Sequence, residues 1–362
     1  MITPHDKGFA TLLPQLHRDL PPEPRTRSVK LAASAWGILR SKRLPGGQIV
    51  TASPWDGTRD SLTQRGQRWR KNAGVTVAPS SQPLAVRLVK RLVAGGARVP
   101  LPLDRTEWGA TDLLYVCVGW RGRAWPVLGR MLAPGASSFV AQKEWLAVVA
   151  GWLPPHAQGL LLGDREFGTG VLARGARQQG WGVCLRVRAQ EDVRRAGAAY
   201  VEPLPLLLAG ARRLWPQVTF PQLPAGSGLR LALYWAPPAA EPWFLIPTEP
   251  RGNLACASYH NRFRIAEMLK GCKNAGRGFG WELTGVRQPD RLARLRVALG
   301  YTGWWLWGAQ VISSGQQRLI DNVRTPTLSL FQTGLRFVMR LWQRGQLVRF
   351  GWHLSVLSED TD

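Results

Sequence analysis

From residue 98 to residue 189 the chain repeats short apolar runs and turn signals in an order that few folds accept. "RVPLPLDRTEW", "DLLYVCVGWRG" and "RAWPVLGRML" read as three strands, the last two separated by a short Arg-Gly hairpin turn. "SFVAQKEWLAVVAGWLP" has helical spacing, "GLLLGD" is a short apolar strand, "GTGVLARGARQQG" a helix ending at Gly180, and "WGVCLRVRA" a further strand. The expected order is therefore strand, strand, strand, helix, strand, helix, strand. Such a segment predicts a sheet that starts antiparallel and continues through helical crossovers.

Two carboxylates follow apolar strands in this pattern. The first strand runs into "LPLDRTEW" and the fourth into "LLGDREF", which sets Asp104 and Asp164 where the two strands can lie side by side. An Asp-Arg pair after a strand is ordinarily a turn with a surface ion pair. Two aspartates on adjacent strands also suit Mg²⁺, a hard cation that prefers oxygen ligands. A pair of such ions roughly 3.5–4 Å apart can activate a nucleophile and stabilise a leaving oxygen in an in-line phosphoryl displacement.

The charge balance points to the substrate. The 362 residues hold 48 Lys and Arg against 23 Asp and Glu, a formal charge of +25, and an excess of this size attracts polyanions over long range. From Arg25 to Arg98 there are 15 basic residues and only two acids, Asp56 and Asp60, within helix-compatible pieces such as "SVKLAASAWGILRSKR" and "PLAVRLVKRLVAGG". This half reads as a basic helical domain that grips a phosphate backbone, with Arg68 and Arg70 around Trp69 in "QRGQRWRKN" as contact residues. No apolar run is long enough for a membrane span, and the N-terminus lacks a signal-peptide layout. Cys117, Cys184, Cys256 and Cys272 are too far apart for a Cys-x-x-Cys zinc site.

Residues 190 to 250 break the rhythm with Pro-rich and Gly-rich turns between short strands, which reads as a β-rich insertion. A helix is expected over 259–274, in "SYHNRFRIAEMLKGCKN". At 100° per residue Tyr259, Arg262, Ala266, Lys270 and Lys273 share one stripe, a tyrosine and three cations fit to meet phosphates. "DRLARLRVALGYTGWWLWGAQ" and "LSLFQTGLRFVMRLWQRGQ" read as further helices, with the tryptophans of "TGWWLWGAQ" as core or interface.

Taken together, "LDRTEW", "LLGDREF" and "YHNRFRIAEMLKGCK" resemble, in order, the blocks of the DDE transposases of bacterial insertion sequences, the group with an RNase H-like catalytic domain and a Tyr-x2-Arg-x3-Glu-x6-Lys signature. The resemblance covers residues 60 to 340. It implies an α/β fold: an RNase H-like mixed sheet flanked by helices, a β-rich insertion before the last catalytic helix, and an N-terminal helical DNA-binding domain. The implied divisions are 1–97 for DNA binding, 98–189 with 256–325 for catalysis, 190–255 for the insertion and 326–362 for a helical tail.

The resemblance implies cut-and-paste transposition: metal-dependent cleavage of DNA at the element's ends, then joining of the 3′-hydroxyl to target DNA. Asp104 and Asp164 would be the first two catalytic, metal-holding acids, with two Mg²⁺ ions that Mn²⁺ can replace. Tyr259, Arg262, Lys270, Lys273 and Arg165 would contact DNA, and an indole of the insertion, Trp215 or Trp235, would stack on a flipped base. The implied partners are duplex DNA, as terminal inverted repeats and target, and a second copy of the chain; the implied location is the cytoplasm, at the nucleoid. The signature expects glutamate at position 266, where this chain has Ala266, and the acid arrives one step later as Glu267. A π-bulge or a rotated helix could bring Glu267 in as third ligand. Otherwise the site lacks its third acid or borrows one such as Glu282. The alternative readings are an RNase H-like nuclease or resolvase that performs no strand transfer and, given Ala266, a transposase-derived DNA-binding protein with impaired catalysis.

Overall fold

A computed structural model describes residues 9–10, 13–14, 17, 24–92, 98–108, 111–120, 123–135, 137–201, 207–223, 228–237, 239–273, 279–300, 308, 311–312, 314–315, 320 and 328–343. The expected hairpin turn at 121–122, the end of the helix expected to run to residue 310, and the tail beyond residue 343 lie outside them. Helices α1 (Arg25–Ser41), α2 (Gly46–Thr51), α3 (Arg59–Lys71) and α4 (Val77–Leu92) precede the sheet. The strands and helices β1 (Val99–Trp108), β2 (Thr111–Trp120), β3 (Arg123–Leu132), α5 (Phe139–Ala150), β4 (Gly159–Gly163), α6 (Gly170–Gln178) and β5 (Gly182–Arg186) follow in the order the sequence pattern predicts. Then come β6 (Arg194–Arg195), β7 (Arg212–Thr219), β8 (Leu229–Tyr234), β9 (Trp243–Pro247), α7 (Gly252–His260), α8 (Phe263–Lys273), α9 (Pro289–Gly300) and α10 (Leu330–Gln343).

Local chemistry sets the helix starts near the sheet. Ser138 and Thr169 each take a first-turn amide, from Ala141 and Leu172, so the side chain ahead of α5 and of α6 satisfies a donor the helix leaves open. Thr58 does the same for α3, whose first turn carries Asp60 and whose last turn carries Arg68, Arg70 and Lys71, matching the helix dipole at both ends.

The strands form a nine-stranded mixed sheet in the order β3-β2-β1-β4-β5-β9-β8-β7-β6. β1, β4 and β5 run parallel, joined by the α5 and α6 crossovers, and the other pairs are antiparallel. All five residues of β4 are buried because it is covered on both faces: Leu161 enters the large apolar cluster, while Leu160 and Leu162 enter a smaller one with Cys184, Ala232, Leu245, Ala255 and Tyr259. The segment expected as a β-rich insertion continues this sheet, since β9 pairs with β5 through Cys184↔Pro247 and Leu185↔Ile246.

The large cluster runs without interruption from Leu31, Trp36 and Trp69 of the first helices into the strands. α9 ties the two regions: buried Arg294 donates to the carbonyls of Arg70 at 2.7 Å and Val75 at 3.1 Å, and Arg296 donates to the Gly129 carbonyl of β3 at 2.7 Å. Arg70 is itself buried, and burial lowers its affinity for a proton. Among the described residues no helix is long and apolar enough to cross a membrane.

The expected helix over 259–274 is a correction: it is two helices, α7 and α8, with Asn261 and Arg262 between them. In the break, hydrogen bonds close over three residues, Arg262 N–H to Tyr259 C=O at 2.9 Å and Ile265 N–H to Arg262 C=O at 3.2 Å. The reason is packing. Tyr259 closes the small cluster, whereas Ile265, Met268, Leu269 and Cys272 join the large one, and the turn lets one segment serve both.

Candidate active site

β1 and β4 pair in parallel with Pro100↔Leu160 and Pro102↔Leu162 as partners. Two residues on, both chains reach an aspartate, and because side chains alternate faces with a period of two, Asp104 and Asp164 project from the same face. Leu160 and Leu162 share that face with Tyr259 of α7, so the aspartates point toward the segment that follows Tyr259. Arg262 arrives there: its Nη2 lies 2.9 Å from Asp164 Oδ2 and 3.3 Å from Asp104 Oδ1.

Asp104 lies within β1 rather than at its end, and the strand just past it is locked to the loop that follows Asp164. Arg105 N–H donates to Asp104 Oδ1 and Glu166 N–H to Asp164 Oδ1, each at 3.0 Å, while Arg105 Nε meets Glu166 Oε2 at 2.6 Å. Arg105 Nη1 also reaches buried Asp112 at 2.7 Å. Gly135 N–H donates to Asp112 at 2.8 Å, and the Ser137 hydroxyl and amide donate to Glu166 at 2.9 and 3.1 Å. Gly168 completes the loop after Asp164 by lying flush on β5, where a Cβ would fall on the Arg186 carbonyl.

Burial pushes the Asp104 carboxyl up to about 6; Arg262 opposes the rise, and Asp164 and Glu166 add to it. The Tyr259 hydroxyl is pushed up to about 12, again chiefly by burial. Tyr259 is buried, edge-on to Trp243 and Phe263, and stands on α7 while Lys270 and Lys273 stand on α8, so the expected stripe is not continuous. Trp243 also contacts Tyr234 and His260, an aromatic group that the sequence pattern did not single out.

The remaining expected residues fall in separate places. Glu267 has a side chain 51% exposed and pairs with Arg264 at 3.4 Å. Lys270 is exposed and Lys273 half-buried on α8. Arg165 pairs with Glu241 at 3.1 Å, and Glu241 pairs in turn with Arg186 at 2.7 Å. Trp215 is buried with the Arg195 guanidinium over its ring, and half-buried Trp235 donates its indole N–H to the Ala239 carbonyl. Arg68 is exposed on α3, in contrast to Arg70.

A hard divalent cation fits part of this arrangement. Asp104 and Asp164 offer carboxylate oxygens converging on one cationic nitrogen, so they fit one such ion in the place that the guanidinium holds. Glu267 does not join them: among the described residues no three His, Cys, Asp or Glu side chains gather into a group able to hold a metal. Arg105, Asp112 and Glu166 escaped the sequence reading because an acid or base beside a strand end carries no mark of its distant partner. The one available signal is that Arg105 directly follows Asp104 and Glu166 comes two residues after Asp164.

No protein-family model matches the chain, and no curated protein matches it in sequence. Among solved structures it is similar to a piggyBac transposase synaptic complex with hairpin DNA, at 12% identity and a TM-score of 0.45, over 97% of this chain and 81% of that one.

Proposed function

We propose that the chain is a DNA transposase of the DDE type, which cleaves DNA at element ends and joins the freed 3′-hydroxyl to target DNA. The observation that carries this reading is the convergence of Asp104 and Asp164, from neighbouring parallel strands, on a single cationic nitrogen. The run β3-β2-β1-β4-β5 within the sheet supports an RNase H-like core, and the blocks "LDRTEW", "LLGDREF" and "YHNRFRIAEMLKGCK" support the family assignment.

In this reading Asp104 and Asp164 hold Mg²⁺, with Mn²⁺ as substitute. The ion would supply the activation of a hydroxyl nucleophile and stabilisation of the leaving oxygen. The chain's own residues do the rest. The Arg105–Glu166 pair and the two backbone amides keep the carboxylates at their spacing. Arg262, Lys270, Lys273 and Arg165 supply charge-assisted hydrogen bonds to DNA phosphates. Arg68 extends the basic surface onto α3, and a second copy of the chain would hold the other DNA end. Glu267 stands as the third acid only if α8 turns on binding DNA; its present partner is Arg264.

The test is Mn²⁺-dependent nicking of duplex DNA carrying the sequences that flank the gene, with joining of the 3′ end as the second readout. Wild type should nick and Asp164→Asn should not; equal nicking by both would refute the reading. A DNA-binding protein without cleavage is the second reading, favoured by Ala266 and by the exposure of Glu267. Tight DNA binding with no nicking at any Mn²⁺ concentration would select it.

A further inference from the structure

Arg262 sits where a cation between the aspartates would sit, yet it is poorly satisfied there. One nitrogen, Nη2, serves both carboxylates, and Nε–H is buried without a hydrogen-bond partner among the described residues. A buried guanidinium with an unpaired donor gives up part of the stabilisation that a bidentate partner would provide. The residue also lies in the two-residue break between α7 and α8, where its backbone is held by three-residue turns, from Arg262 N–H to the Tyr259 carbonyl and from Ile265 N–H to the Arg262 carbonyl, and not by the four-residue ladder of either helix. Solvent reaches the pair from one side, since the Asp164 side chain is 33% exposed against 13% for Asp104.

We infer that Arg262 is an exchangeable stand-in for the metal, drawn off the aspartates by a phosphodiester so that DNA binding opens the cation seat. The inference rests on the reading of Asp104 and Asp164 as metal ligands. A phosphate offers two oxygens side by side, which can take Nε–H and an Nη–H together and so satisfy the donor now left over. With the guanidinium on the phosphate, the two carboxylates change from a pair sharing one positive charge to an uncompensated pair, a stronger site for a divalent cation. By linkage the metal must in turn strengthen DNA binding by the same factor. The device keeps metal affinity low on the free protein.

Mn²⁺ affinity, read from the electron paramagnetic resonance signal of free Mn²⁺, tests this on the full chain, with and without a short duplex. Without DNA, Arg262→Ala should bind Mn²⁺ at least about tenfold more tightly than wild type, within the usual range for coupled sites. Duplex should tighten wild type and leave Arg262→Ala nearly unchanged, while inorganic phosphate at matched ionic strength shows whether a free anion suffices. Asp164→Asn with duplex gives the background of metal held by the DNA alone. Arg262→Gln, a neutral residue of similar length, serves if the alanine variant does not fold. An affinity in Arg262→Ala or Arg262→Gln no higher than wild type, or a wild type that duplex does not tighten, overturns the inference. Should the exchange pattern hold while duplex is never nicked, the enzymatic reading fails and the exchange stands.

Discussion

Arg105 of β1 and Glu166, just past β4, form a 2.6 Å ion pair, and each donates its own backbone amide to a different aspartate of the site. The spacing of Asp104 and Asp164 is thus held from behind by a pair of side chains that touch neither carboxylate. Glu166 also accepts from Ser137, which anchors the start of α5 to the same point. Glu166→Ala removes the acceptor for all three donors and should destabilise the fold by up to about 3–5 kcal/mol, the range for breaking a buried pair from one side. Glu166→Gln keeps an acceptor oxygen and should lose less. Urea denaturation ranks the two, and equal stability of Glu166→Ala and wild type would remove the pair from the framework.

Asp104 yields a pH prediction. Its carboxyl is raised in the folded state to about 6 from an ordinary value of 3.8. A group raised on folding contributes stability that is complete below its unfolded value and is lost as pH rises through its folded one. At pH 7.5 the ionised carboxylate is therefore a burden, bounded at about 3 kcal/mol by the usual conversion of about 1.4 kcal/mol per unit. Asp104→Asn should melt above wild type at pH 7.5, the gap closing toward pH 4. A gap that widens as pH falls would mean that Arg262, not burial, governs this carboxyl. Metal-dependent nicking should rise as pH passes upward through 6.

Gly168 has no room for a side chain. A methyl group there falls on the Arg186 carbonyl of β5, two residues beyond Glu166 in the same loop. Gly168→Ala should cost at least about 1–3 kcal/mol, the range for overpacked sites, and should reduce nicking along with stability. Thermal melting beside wild type is the check.

Arg68 and Arg70 are two residues apart and should behave differently. Arg68 is exposed and Arg70 buried. Arg68→Ala should weaken DNA binding and lower the slope of log affinity against log salt by about 0.9, the change expected for one lost phosphate contact, with no change in melting. Arg70→Ala should lower the melting temperature, because a packed side chain is removed. The opposite pattern would place the DNA surface on another side of α3.

Glu267→Gln tests the third acid. The stripe Ile265, Met268, Leu269 and Cys272 holds α8 in the core, which leaves Glu267 in solvent beside Arg264. The expected outcome is nicking within a few-fold of wild type, against complete loss in Asp164→Asn. Loss in both variants would show that α8 turns when DNA is bound.

What the sequence determined by itself was periodic and local. The alternation of apolar runs between Val99 and Arg186 specified five strands and two crossover helices, and an aspartate behind the apolar run of the first and the fourth strand; the register Pro102↔Leu162, which sets both acids on one face, came with the pairing of the strands. Tertiary structure decided the rest, because it depends on which buried surface each segment shares. The helix expected through Tyr259 and Lys273 breaks at Asn261 and Arg262 since its two halves serve different apolar clusters. That break delivers Arg262 onto the aspartates and leaves Glu267 outside. Burial of Arg70 against α9, the joining of β9 to β5, and the Arg105–Glu166 bond across 61 positions of chain likewise follow from packing between distant segments, which no local period in the sequence encodes.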